Sequence, residues 1–128
     1  MSSYSYLRRN YKNLVRLNEC YCILSGLKIP TIKDLSIEHY FPQSRGEYEF
    51  THQIKNIFPA IKIINSIKQD KLPCEWEDQK FNLLYRAVHH YNLNDHDYNI
   101  VVAAIKNIEN YKVDPCLFCI NNIKCKTR

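Results

Sequence analysis

Two glycines in 128 residues is the first thing the chain lacks. With average hydrophobic content and many Tyr and Ile, so little of the most permissive backbone residue points to a folded, helix-rich globule. No apolar run approaches the roughly 20 residues that span a bilayer, so no membrane partner is expected. The first residues, MSSYSYLRRNYKNLV, carry arginines but no apolar core of a secretory signal. An intracellular, cytoplasmic protein is therefore expected. There are no internal repeats and no low-complexity linker. The length suits one domain, 1–128, able to bury a modest core without staples. A net charge of +5 is a mild basic bias, compatible with a polyanionic partner and with many ordinary proteins.

In a reducing compartment the six cysteines read as thiols or metal ligands, not as a disulfide framework. They are unevenly spread. Cys20 and Cys22 lie early, Cys74 stands alone, and Cys116, Cys119 and Cys125 crowd the tail at 112–128. Cys116 and Cys119 have the spacing of a zinc-ligand pair.

Tyr4, Leu7, Tyr11, Leu14 and Val15 recur at near-helical spacing, with Arg8, Arg9, Lys12 and Arg16 on other faces. An amphipathic helix over 1–18 is expected; its basic side could lie on phosphates or simply be solvated. A turn-rich entry follows, with Ser25-Gly26 and Pro30. Leu35–Phe41 reads as a short strand that Pro42 stops, then a long polar loop over 43–55, then a second short strand at Asn56–Phe58. Pro59 suits the first position of a helix running to Gln69, because its missing N–H would be unpaired there anyway. Two C-terminal helices are expected over 75–111. The first runs from Glu75 to about Tyr91, with Trp76, Phe81, Leu84, Tyr85 and Val88 inward. The second is capped by Asn94 or Asp95, runs through Tyr111, and turns Tyr98, Val101, Val102, Ile105 and Ile108 inward. The fold class is α+β and mostly helical.

The core of the reading lies in 20–73. Glu38 and His39 sit together in the first strand, Asn56 precedes the second, and Asn65 interrupts a helix rich in isoleucine. Asn is a poor helix-interior residue because its amide competes for backbone hydrogen bonds. Glu38-His39-Tyr40-Phe41-Pro42-Gln43-Ser44-Arg45-Gly46 resembles the "DH-hydrophobic-hydrophobic-P-x-S-x-G" run of the HNH, or ββα-metal, nucleases. Asn65 to Pro73 resembles that family's "N-x-x-K-x-(D/N)-x-hydrophobic-P" helix exit, and Cys22-Ile23-Leu24-Ser25-Gly26 its "C-x-x-(S/T)-G" turn. The family mostly has Asp where this chain has Glu38.

The resemblance implies a ββα-metal motif at 35–70, embedded between flanking helices, and a metal-dependent endonuclease hydrolysing DNA; RNA is an open alternative. It implies that Glu38 and Asn65 hold the ion; a carboxylate and an amide oxygen suit hard Mg²⁺ or Mn²⁺. His39 would be the general base, since an ordinary imidazole titrates near the working range. Asn56 would brace the loop without touching metal. Arg45 and Lys68 could contact phosphate, Lys68 lying one helical turn beyond Asn65. Family members with zinc use two Cys-x-x-Cys pairs. The second is absent here, so a structural Zn²⁺ would have to recruit the tail cysteines Cys116, Cys119 and Cys125 with Cys20, Cys22 or Cys74, Cys22 being the favoured choice; reduced thiols are the other reading. His52, His89, His90 and His96 read as surface or core histidines. With little room for a recognition domain, target choice would fall to flanking helices, a homodimer or a partner protein. The competing reading is a non-cleaving nucleic-acid-binding or protein-interaction module on the same fold.

Overall fold

A computed structural model describes residues 3–115. The cysteine pair of the tail, with Cys125, lies outside them. Helix α1 (Ser3–Arg16) buries Val15 and half-buries Leu7, Tyr11 and Leu14, while Arg8, Arg9 and Arg16 face outward. It ends where Asn18 takes a left-handed φ of 58° and Glu19 N–H reaches back to the Leu14 carbonyl at 2.9 Å. Asn tolerates that conformation better than other side chains, which makes it a natural stop.

The entry segment is pinned by a tight turn. Gly26 adopts φ 75°, and a Cβ there would lie 2.5 Å from the Tyr111 ring. Tyr111 Oη donates to the Ile23 carbonyl and Asn107 Nδ2 to the Ser25 carbonyl, each at 2.7 Å. The far end of the chain thus clasps this turn, and only glycine fits between them.

Strands β1 (Leu35–His39) and β2 (Ile57–Ile61) pair antiparallel, with Leu35 opposite Ile61 and His39 opposite Ile57. Pro59 therefore sits inside β2, not at a helix start. Its carbonyl turns outward to accept from Ile23 N–H at 3.0 Å, so its nitrogen also faces away from β1 and no ladder bond is lost. The loop between the strands holds one α-helical turn, α2 (Tyr48–Thr51), with a short 3-10 turn on either side. After β2 the chain enters α3 (Lys62–Lys68), α4 (Pro73–His90) and α5 (Asp95–Asn107).

Pro73 opens α4 at its first turn, and Glu75 Oε1 accepts from Leu72 N–H at 2.8 Å, satisfying one of the orphan donors there. Asn94 caps α5, its Oδ1 accepting from Asp97 N–H at 2.8 Å. Helix α5 stops at Asn107, short of Tyr111. The inward stripe of α4 is Trp76, Lys80, Leu84 and Ala87; Phe81 and Tyr85 are 48% and 51% exposed, and Tyr98 of α5 is exposed as well. The large aromatics lost the inner face to a phase set by Trp76, which is fully buried and donates Nε1–H to the Leu24 carbonyl. Lys80 keeps its place inside by bonding Glu77 and the Tyr111 carbonyl. The core joins Leu24, Ile29, Leu35, Ile61, Ile64 and Trp76 with the inner faces of α4 and α5. No helix among the described residues is long and apolar enough to cross a membrane.

Candidate functional site

The strand-loop-strand unit is closed by one side chain. Asn56 is buried. Its Oδ1 accepts from Phe41 N–H at 2.7 Å, and its Nδ2 donates to the Phe41 carbonyl at 3.0 Å and the Thr51 carbonyl at 2.8 Å. One amide thus satisfies three buried backbone groups at both ends of the loop, a demand that neither Asp nor Leu could meet. Gly46 lets the loop cross Phe41, since a Cβ there would meet that ring and Thr51 at 2.9 Å.

The C-terminal end of β1 opens on a cleft of about 290 Å³ lined by Ile37, Glu38, His39, Gln43, Gln69 and Asp70, among others. His39 is half-buried, and Gln43 Nε2 donates to its ring at 2.9 Å. Burial, then the neighbouring charges of His52 and Lys68, lower its pKa below the ordinary 6.5, which favours the neutral imidazole. Gln69, on the opposite wall, is a non-glycine residue at φ 56° and ψ −135°, a costly conformation that surrounding structure must hold.

Helix α3 lies over the face of β1 that carries Ser36 and Glu38. Asn65 Nδ2 donates to Ser36 Oγ at 3.1 Å. One turn on, Lys68 Nζ meets Glu38 Oε2 at 2.7 Å. Lys68 is 0% exposed and Glu38 5%, so the pair is withdrawn from water. Desolvation raises the Glu38 pKa and lowers that of Lys68, and in each case the partner's charge opposes the shift. Two expectations change here. Lys68 is not a surface cation ready for phosphate; it backs Glu38 from inside, with the face of Tyr40 5.8 Å away. Arg45, a third exposed, is engaged with Glu75 Oε1 at 2.5 Å and ties the loop to α4.

The other sequence candidates fall elsewhere. Cys22 is a core thiol that accepts from Ile61 N–H, and burial raises its pKa. Cys20, pushed up to about 11, and Cys74 are likewise buried. Asp34, His96 and Asp97, whose ligand atoms lie within 4.8 Å of one another, form a group that could hold a metal. It lies at the start of β1, about 13 Å of strand away from Glu38, and His96 already bonds Asp34 there at 2.8 Å.

Sequence reasoning missed the company His39 keeps. His52 lies 5.0 Å from it ring to ring, Tyr48 stacks on His52 at 3.8 Å, and Tyr4 of α1 stacks on His39 at 6.3 Å. Only the spacing of Tyr48 and His52, one helical turn apart, signals part of this. No family model, no curated protein and no solved structure matches the chain.

Proposed function

We propose that this chain is a metal-dependent endonuclease of the HNH type, hydrolysing phosphodiester bonds in nucleic acid, with DNA as the expected substrate. The observation that carries the reading is the Asn56 clasp. It holds the loop between two antiparallel strands so that His39 stands at the cleft edge, and a helix bearing Asn65 follows directly. In this reading His39, kept neutral, takes the proton of the attacking water. Asn56 positions it and does not touch substrate.

The donors suit a hard divalent ion in kind. Glu38 lines the cleft and carries a carboxylate whose Oε2 is turned to Lys68, and Asn65 has an Oδ1 with no partner among the described residues. These two would hold Mg²⁺ or Mn²⁺, with the Asp70 carboxylate across the cleft. Such an ion stabilises charge on the phosphate and on the leaving oxygen. Lys68 works against it, since a cation 2.7 Å from Glu38 repels another. That same contact favours the second reading, a non-cleaving nucleic-acid-binding module, in which Glu38 is a structural partner of Lys68. Nicking of supercoiled plasmid separates the two. Cleavage with Mg²⁺ or Mn²⁺ that chelator abolishes and fresh metal restores supports the nuclease. No nicking with either ion, by protein that still binds DNA, supports the module.

A further inference from the structure

Four rings, of which His39 lines the cleft, form a file in the order Tyr4, His39, His52, Tyr48. Its outer member is unlike an ordinary core aromatic. Tyr48 stacks one face on His52 with an interplanar angle of 20°, yet remains 73% exposed. A tyrosine held in a fixed orientation and open to solvent is a ready surface for another flat ring. Ring surfaces of this kind recur where proteins bind unpaired strands, because every unpaired base has a free π-face, whereas bases in a duplex already stack on their neighbours.

Charge restricts what can occupy the file and how. Glu47 and Glu49 flank Tyr48 and are exposed, which disfavours phosphates beside Tyr48 itself. Helix α1 offers the opposite surface. It contains Arg8, Arg9, Lys12 and Arg16 and no acidic residue. Arg8 and Lys12 follow Tyr4 at successive turns on the face that Tyr4 turns towards His39. A base at one end of the file and phosphates at the other leave His39 between them.

We propose that this file is a nucleobase-stacking platform that selects single-stranded nucleic acid, with an unpaired base on Tyr48 and the backbone on Arg8 and Lys12. The proposal rests on the nuclease reading only for the purpose of the strand; binding itself needs no chemistry. It is tested by fluorescence anisotropy in excess chelator, with one labelled sequence offered as single-stranded DNA, as single-stranded RNA and as DNA duplex. The wild-type protein should bind a single strand more tightly than the duplex. Tyr48→Ala should weaken single-strand binding roughly 5- to 150-fold, and Tyr48→Phe should restore it. Arg8→Ala with Lys12→Ala should flatten the salt dependence. Tyr48 is exposed, so its variants should fold as the wild type does. Binding of either single strand through Tyr48 supports the platform, and the preferred one names the substrate. Equal affinity for duplex and single strand, or no effect of Tyr48→Ala, overturns it. Plasmid nicking by the wild type is read separately. A protein that nicks but binds all forms alike loses only the platform, and one that selects single strands through Tyr48 without ever nicking loses only the nuclease.

Discussion

Lys68 and Glu38 face each other 2.7 Å apart, and apart from this ion pair neither contacting atom has a hydrogen-bond partner among the described residues. Each is in place because of the other. Removing one charge from such a pair strands its partner in a poorly solvated place, typically at a cost of about 3–5 kcal/mol. Lys68→Met should therefore destabilise the fold by about that much in chemical denaturation at neutral pH. Adding Glu38→Gln should recover most of the loss. Because burial raises the Glu38 pKa above 4.5, its contribution is full below that value and fades as pH climbs through the folded pKa. The deficit of the single variant should grow with pH in the same direction. A single variant as stable as the double would mean that the pair does not hold the carboxylate.

Asn56→Ala should act on stability through the backbone. It removes the Asn56 bonds to Phe41 N–H and to the Phe41 and Thr51 carbonyls, each such loss costing about 1–3 kcal/mol at a buried group. A loss of about 3 kcal/mol is expected, together with faster hydrogen exchange at the Phe41 amide. Asn56→Asp should be nearly as damaging, because it keeps the acceptor for Phe41 N–H but loses both donors.

Asp34 and His96 give a pH dependence of known sign. The hydrogen bond and charge of Asp34 raise the His96 pKa above 6.5. The stabilisation is thus present below 6.5 and lost as pH rises through the folded value. Thermal midpoints of the wild type should exceed those of His96→Ala at low pH and converge with them at high pH. Metal held by Asp34, His96 and Asp97 would reverse the trend, because protons compete with metal for the imidazole. A midpoint raised by Zn²⁺ more strongly as pH increases would assign the group to metal.

The strand pair and the helices were legible because proline, glycine and the apolar runs punctuate the chain locally. What was misread depends on packing that local pattern does not encode. Pro59 reads equally well as a helix start or as an outward-facing strand residue, and only the pairing of Ile23 with its carbonyl decides between them. On α4 the expected Trp76 and Leu84 are buried, but apolar size alone also puts Phe81 and Tyr85 inward, where the structure has Ala87 and a bonded Lys80. Lys68, one turn beyond Asn65, reads as a phosphate contact. Its spacing from Ile64 and Ile67 placed it on the buried face, and Glu38 supplied the counter-charge that lets a lysine stay there. Asn56 was legible through the family resemblance, and its three backbone partners became visible only once the loop was closed.

His39 bears the sharpest functional test. If it is the base, His39→Ala should fold, since the ring is half-buried and hydrogen-bonds the side chain of Gln43. It should still bind nucleic acid, yet cleave roughly 10²- to 10⁴-fold more slowly. Glu38→Ala and Asn65→Ala should behave differently, their rates recovering in part as Mg²⁺ or Mn²⁺ is raised. The pH profile gives an independent reading. Burial, His52 and Lys68 all press the His39 pKa below 6.5, so the rate should climb with pH along a limb centred under that value. Replacing His52 by Gln removes one of those pressures, and the limb should then move to higher pH. In His39→Ala the limb should disappear altogether. A folded His39→Ala variant that cleaves at the wild-type rate, with the same pH limb, would remove His39 from the chemistry and the HNH mechanism with it.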